Sequence, residues 1–289
     1  MVLNEVKELW NGKEIPVLGA GTWMVENDDA ARVVRDALDV GYRHIDTAAS
    51  YGNEEGVGRG IRESGVAREE IYLVTKVKHN VKDYDSAVRE IDASFERLGV
   101  DYIDLMLIHS PQPWDKFRDP DEHFFEENVA VWKALEEAYE AGRLGAIGVS
   151  NFLVEDLENL ITNASVKPMV NQVLAHITNV PTDVIEYCEA HDIVVEAYSP
   201  IAHGAILKHE VAVEIAEKYD VSPAQLSLRY VLQLGLVALP KSTKKAHMQS
   251  NAELDFVISP SDMLELDALP LLESYGDDEY MPVFSNFYK

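Results

Sequence analysis

The chain alternates short apolar, β-rich runs with longer stretches whose apolar residues recur at three- and four-residue spacing, almost without interruption. Alternation of this kind predicts parallel strands joined by helices. Eight runs read as strands: residues 17–21, 44–48, 71–77, 103–109, 146–150, 169–173, 194–199 and 237–241. Between them, stretches such as 30–40, 87–98, 129–141, 184–190 and 211–219 read as amphipathic helices. Asp29 is placed to cap the first helix, and Gly41, Gly99 and Gly142 to close others.

Eight strand-helix units in 289 residues match the size of a closed (β/α)8 TIM barrel, an α/β fold. No Pro-, Gly- or Ser-rich linker divides the chain, so one domain spanning 1–289 is expected. An open doubly wound sheet is the alternative. Its nucleotide fingerprint should follow the first strand, but Gly19-Ala20-Gly21-Thr22-Trp23-Met24 begins as G-x-G and lacks the third glycine. Residues 6–16 contain Asn11-Gly12, a type I′ turn signal, and predict a hairpin capping the barrel floor. Extra length falls after the fourth strand, at 110–127, and in the tail after Pro270. Loops at the carboxyl ends of barrel strands build active sites, so the first insertion matters most.

A hydrophobic share of 47 % with 26 % charged residues excludes disorder and collagen-like structure. No apolar run approaches the roughly 20 residues of a membrane helix, and Glu and Lys occupy the amino end where a signal peptide would be apolar. A soluble, unexported, cytoplasmic protein is expected. Cys188, the one cysteine, excludes an internal disulfide and any cysteine-based zinc cage. The net charge of −26, from 25 Lys and Arg against 51 Asp and Glu, repels nucleic acid and anionic lipid, so neither is an expected partner. The acids recur in clusters along the whole chain, as at 26–29, 119–122 and 126–127. Salt screens such repulsion, since the Debye length falls from about 10 Å at 0.1 M to about 3 Å at 1 M. A halophilic protein of a salt-rich cytoplasm is the expectation, with a merely acidic mesophilic enzyme as the alternative.

Asp46 sits near the end of the second strand, Tyr51 follows five residues later, Lys76 ends the third strand and His109 the fourth. All four then face one mouth of the barrel. A tyrosine, with its pKa of about 10, releases its proton reluctantly at neutral pH, and a neighbouring ammonium lowers that barrier by stabilising the phenolate. Asp46 would pair with Lys76 and fix it, and His109 could bond a substrate oxygen or relay a proton. Singly, each has a structural explanation; together at successive strand ends they point to a proton donor held near a carbonyl.

These residues lie in runs that resemble the aldo-keto reductases: 41–48 (GYRHIDTA), 51–54 (YGNE), Thr75-Lys76, 101–109 (DYIDLMLIH), 147–152 (IGVSNF), Asn171-Gln172, 197–200 (AYSP) and 239–243 (LPKST). The resemblance covers nearly the whole chain. It implies NAD(P)H-dependent reduction of an aldehyde or ketone, with Asp46, Tyr51, Lys76 and His109 as the catalytic tetrad and Tyr51 as the general acid. It also implies that Ser150, Asn151 and Gln172 hold the nicotinamide carboxamide, Tyr198 stacks on the ring, and Gly21, Thr22, Ser199 and Gly204 line the cofactor passage. Amide and hydroxyl side chains suit a carboxamide's donors and acceptors, and an aromatic face suits stacking.

Lys241, Ser242 and Thr243 resemble the segment that receives the adenosine 2′-phosphate, and Asn251 is retained near the adenine. The family's usual arginine is replaced by His247, and its glutamate by Ser250. An unprotonated imidazole holds phosphate less well than an arginine fork, although Lys244 and Lys245 stand close by. NADPH is the expected cofactor, with NADH or dual use as the alternative. Trp23 and Trp114 are candidate walls of the substrate pocket. Ser110 stands where a tryptophan commonly follows the catalytic histidine, which would widen or wet that pocket. The tail, with Tyr275, Tyr280, Phe284, Phe287 and Tyr288, is read either as a cover over the entrance or as packing on the barrel's outside. A small carbonyl substrate and a monomer are expected, with a weak dimer as the alternative state.

Two other classes compete. His44 and Asp46 form an H-x-D pair that, with His109 and His176, could serve a metal-dependent barrel hydrolase, but Lys76 and Tyr51 would then have no duty. A binding module that senses the cofactor for a partner is the second, against which the intact set of four residues argues.

Overall fold

The computed structural model describes residues 1–272 and residue 275. The chain opens with an antiparallel hairpin, β1 (Val6–Glu8) against β2 (Glu14–Pro16). Eight strands follow: β3 (Gly19–Gly21), β4 (His44–Asp46), β5 (Tyr72–Val77), β6 (Ile103–Ile108), β7 (Leu144–Ser150), β8 (Val170–Leu174), β9 (Val194–Tyr198) and β10 (Val237–Leu239). Each pairs in parallel with the next. Parallel bridges at Leu18–Ala238 and Gly21–Lys241 bring β3 against β10, so the sheet closes into the expected (β/α)8 barrel. The strands are buried on both faces, which is why they read as continuous apolar runs rather than as alternation.

The hairpin seals the amino-terminal end of the barrel. Trp10 Nε1 donates to the Pro168 carbonyl before β8, and Asn11 Nδ2 to the Gly145 carbonyl at the start of β7. Its turn differs from the type I′ reading. Gly12 has φ of 80° but Asn11 does not have positive φ, and the Gly12 N–H bonds the Leu9 carbonyl while Leu9 N–H bonds that of Lys13. That is a three-residue loop closed by a left-handed glycine, the G1-bulge form.

The outer layer begins with α1 (Asn27–Val40) and α2 (Glu54–Glu63). Helix α1 starts two residues before Asp29, which lies in its first turn and bonds Arg32 rather than capping the end. Two interactions favour that earlier start: the Asn27 side chain accepts from the Gly56 N–H of α2, and Asp28 and Asp29 suit the positive end of the helix dipole. Gly41 and Gly99 close α1 and α3 (Tyr84–Leu98) with positive φ, as expected. Helix α2 is absent from the periodicity reading because Gly56, Gly58 and Gly60 depress its helix propensity. Packing explains them. A Cβ at Gly58 would lie 1.9 Å from the Leu98 carbonyl oxygen, and one at Gly56 2.1 Å from that of Asn27, so α2 nests against α1 and α3 only without side chains there.

Helices α4 (Phe125–Glu140), α5 (Val154–Asn163), α6 (Thr182–Ala190), α7 (Glu210–Lys218), α8 (Pro223–Gln233), α9 (Lys245–Asn251) and α10 (Pro260–Asp267) complete the layer. No helix among the described residues is long and apolar enough to cross a membrane. The extra length expected at 110–127 is a long loop that runs from the carboxyl end of β6 only as far as residue 124, because α4 already begins at Phe125. Gln112 organises it, donating to the Asp119 and Glu122 carbonyls and accepting from Arg118 N–H. Lys82 ties its two ends together through the Ser110 carbonyl and Asn128 Oδ1, both at 2.8 Å. Tyr280, Phe284, Phe287 and Tyr288 lie outside the described residues.

Candidate active site

The carboxyl ends of the strands open into a cavity of about 340 Å³. Of the four residues singled out first, Asp46, Tyr51 and His109 line it, and Lys76 lies directly beneath. Lys76 Nζ donates to Asp46 Oδ1 and Oδ2, both at 2.8 Å, and to the Thr47 carbonyl at 2.9 Å. The same ammonium stands 5.2 Å from the centre of the Tyr51 ring, which meets His109 edge-on at 5.6 Å. Burial alone would lower the Lys76 pKa, but the charge of Asp46 and the neighbouring Tyr51 outweigh it and hold the ammonium protonated. Burial raises the Tyr51 hydroxyl above its ordinary value, with Lys76 pulling the other way. His109 is held well below the ordinary histidine range by burial and then by Lys76, so its ring is neutral.

A second row of polar groups crosses the cavity floor. Ser150 Oγ donates to the Gln172 carbonyl, Asn151 Nδ2 to the His109 carbonyl, and Tyr198 OH to Asn151 Oδ1 at 2.7 Å. Gln172 Nε2 donates both its hydrogens, to Asp46 Oδ2 and to Glu196 Oε2, each at 2.9 Å. Its Oε1 is thereby left as an acceptor on the cavity wall. Gly21, Trp23, Ser199, Gly204 and Lys241 complete the expected lining, with Leu239, Pro200 and Ile201 as apolar wall. Met24, Asn151, Ser199 and His203 all line the cavity and all carry φ between 50° and 64°. Non-glycine residues in this region cost of order 1–2 kcal/mol each, and they collect where a site over-determines its backbone.

The other expected residues fall elsewhere. Thr22 is buried with both Oγ1 and N–H on the Asp46 carbonyl, so it fastens β3 to β4 rather than facing the cavity. Asn53 does related work, its amide bridging the Thr22 and Val25 carbonyls while accepting from Thr47. Ser110 is fully buried at the start of the long loop, where its carbonyl accepts from Lys82, and is not part of the cavity lining. Trp114 packs edge-on against His109 at 5.4 Å and stacks on His79 at 4.9 Å, so it backs the histidine rather than lining the cavity. Ser242, Thr243, His247 and Asn251 lie beyond the cavity, on the loop into α9 and on that helix. Lys245 is paired with Asp39 of α1. Tyr275 is buried, bonds His176 and meets His203 edge-on at 5.7 Å, which puts this one tail residue beside the cavity's rim.

Sequence reading missed Glu196. It is fully buried in the barrel interior, and the single acid in an apolar strand gave no signal that it faced inward. His44, read as a candidate metal ligand, instead sets Nδ1 against the Pro16 carbonyl and Nε2 toward Glu196. Among the described residues no three His, Cys, Asp or Glu side chains converge to hold a metal ion.

The sequence also matches known proteins. A model of the Aldo/keto reductase family fits residues 17–270. A glyoxal reductase of Bacillus subtilis is 45 % identical over 276 residues, spanning 95 % of this chain and 96 % of its own. The crystal structure of an aldo/keto reductase from Brucella melitensis superposes with a TM-score of 0.84 at 39 % identity, over 91 % of this chain and 98 % of that one. A Bombyx mori aldo-keto reductase solved in complex with NADP gives a TM-score of 0.83 at 31 % identity, covering 92 % and 93 %. Closed barrel, cavity and matched sequence agree: the chain belongs to the aldo/keto reductase family.

Proposed function

We propose that this protein reduces a small aldehyde or ketone to the alcohol with NADPH, Tyr51 serving as general acid. The observation that carries the reading is the Lys76 ammonium, fixed by both oxygens of Asp46 and set beneath the Tyr51 ring. A held cation beside a phenol stabilises the phenolate left when the proton departs, which is what a carbonyl oxygen gaining negative charge requires. Asp46 keeps Lys76 protonated in a dry site, and neutral His109 orients the carbonyl oxygen toward Tyr51.

The donor set suits a nicotinamide dinucleotide, which when bound supplies the hydride. Gln172 Oε1 is a free acceptor for the carboxamide N–H, and Tyr198 presents a ring on the same wall. The NADP complex of the Bombyx mori relative and the glyoxal substrate named for the Bacillus subtilis relative support the cofactor and the substrate class. Lys241, Lys244, Ser242 and Thr243 would receive the 2′-phosphate. The acid excess supports a working place in a salt-rich cytoplasm, and the family match over 17–270 supports one domain.

The test is NADPH oxidation against a panel of aldehydes and ketones, in dilute buffer and in molar KCl. Turnover of small carbonyls is expected. Tight NADPH binding with no turnover of any of them would favour the cofactor-sensing module instead.

A further inference from the structure

Behind Asp46 lies a buried pair, His44 and Glu196, whose facing atoms have no other partner among the described residues. His44 Nδ1 is 3.1 Å from the Pro16 carbonyl oxygen, so that nitrogen carries the ring's hydrogen, and Nε2 of the neutral ring is a bare acceptor. It faces Glu196 Oε1 at 3.4 Å, and neither atom has a hydrogen-bond partner elsewhere among the described residues. Two acceptors do not face each other in a dry interior unless a proton stands between them. Glu196 Oε2 meanwhile accepts from Gln172 Nε2, whose other hydrogen goes to Asp46.

We propose that Glu196 is a positioning residue, a neutral carboxyl that donates to His44 and accepts from Gln172, so holding the Gln172 amide in place and sparing Asp46 a second negative neighbour. The proposal rests on the carbonyl-reductase reading for its effect on turnover, and on geometry for its protonation. The groups facing Glu196 are His44 and Asp46 of β4, Tyr72 and Lys76 of β5 and uncharged Gln172 of β8, while Val237 is its register partner on β10. Lys76 offsets part of an added charge through space, but its three hydrogens already go to Asp46 and Thr47, so it gives Glu196 no hydrogen bond. Burial, reinforced by Asp46, pushes the Glu196 carboxyl up to about 8, and burial holds His44 down at about 4, so the proton sits on Glu196.

The sign follows. Below about pH 8 the carboxyl is neutral; above it, a new anion near Lys76 and Asp46 raises the proton affinity of Tyr51. Carbonyl reduction then weakens as the pH rises through that midpoint, well before Tyr51, itself raised by burial, loses its own proton.

Two measurements decide it. The pH profile of kcat is compared in the wild type and in Glu196→Gln, whose amide keeps a donor for His44 and an acceptor for Gln172 but cannot ionise. An alkaline fall near pH 8 is expected in the wild type, and a shift of more than about one pH unit upward in E196Q. Independently, infrared difference spectra of the cofactor-free protein, with 13C-labelled glutamate, are recorded between about pH 6 and pH 10. A protonated glutamate band that disappears near 8, and is missing in E196Q, is expected. An unchanged alkaline midpoint in E196Q, or no glutamate losing a proton over that range, overturns the proposal. If no carbonyl is turned over at all, the functional reading falls, while the infrared titration still decides the protonation. If E196Q does not fold, the labelled wild type decides alone.

Discussion

Lys76 and Asp46 form a bidentate ion pair inside the barrel, Nζ at 2.8 Å from each carboxylate oxygen, with Lys76 wholly buried and Asp46 5 % exposed. Breaking a buried pair by removing one partner leaves an uncompensated charge and costs about 3–5 kcal/mol. Lys76→Met should therefore lose both stability, by that amount, and carbonyl reduction. The double variant Lys76→Met/Asp46→Leu separates the two roles. Urea unfolding should show much of the stability restored, because no unpaired charge remains, while turnover stays lost. Activity returning with stability would mean that the pair is a structural device only.

Gly58→Ala tests the packing of α2. On helix propensity alone the change should stabilise by about 0.5–1 kcal/mol. The added methyl would meet the Leu98 carbonyl oxygen at 1.9 Å, and overpacking of this sort costs about 1–3 kcal/mol. We expect net destabilisation, read as a lower urea midpoint at unchanged slope. A higher midpoint would show that α2 and α3 part easily.

The strands were legible because a closed parallel barrel buries both faces of each, and Asp46, Lys76 and His109 at or near their ends stood out in apolar runs. What stayed hidden had physical reasons. The glycines of α2 signal loop by propensity but serve the approach to Leu98 and Asn27. Glu196 reads as one acid among many in a chain of 51 Asp and Glu, and only closure of β9 against β8 turns it toward Gln172. The long loop after β6 was visible as excess length, yet its end at 124 and its path depend on the start of α4 and on Gln112 and Lys82, whose partners lie several residues or a whole element away.

Cofactor preference follows from the cations near α9. Lys245 is held by Asp39, which leaves Lys241 and Lys244 as the lysines for a 2′-phosphate. Asp39→Asn should release Lys245 and tighten NADPH over NADH, most at low ionic strength, where exposed charges are least screened. His247→Arg should tighten NADPH specifically at all salt concentrations, since a guanidinium grips phosphate in two places. Fluorescence titration of both cofactors checks this. Equal gains for NADH and NADPH would show that these positions do not meet the 2′-phosphate.

The charge of −26 predicts a fold that strengthens with salt through screening. Exposed surface pairs such as Lys116–Glu122 add little, and 25 Lys and Arg cannot partner all 51 acids one to one. Excluded salt also strengthens apolar burial, so a rising melting temperature alone does not separate the causes. Neutralising Asp119 and Asp121 to Asn does, since both lie in the loop before α4 and not in its first turn. The variant should gain stability mainly in dilute buffer, with melting curves converging above about 1 M, where the Debye length is near 3 Å. A constant gap at every salt concentration would contradict the screening account.

The central claim is that Tyr51 donates the proton, and Tyr51→Phe tests it most directly, because the ring that meets His109 and Lys76 stays while the hydroxyl goes. Turnover of a small aldehyde is measured beside NADPH affinity by fluorescence, with deuterated cofactor to establish that hydride transfer limits the rate. The account predicts a loss of about 10²–10⁴-fold in kcat, the usual worth of general acid catalysis, with affinity held within about threefold. A variant that keeps more than about a tenth of wild-type turnover under a limiting hydride step would contradict it.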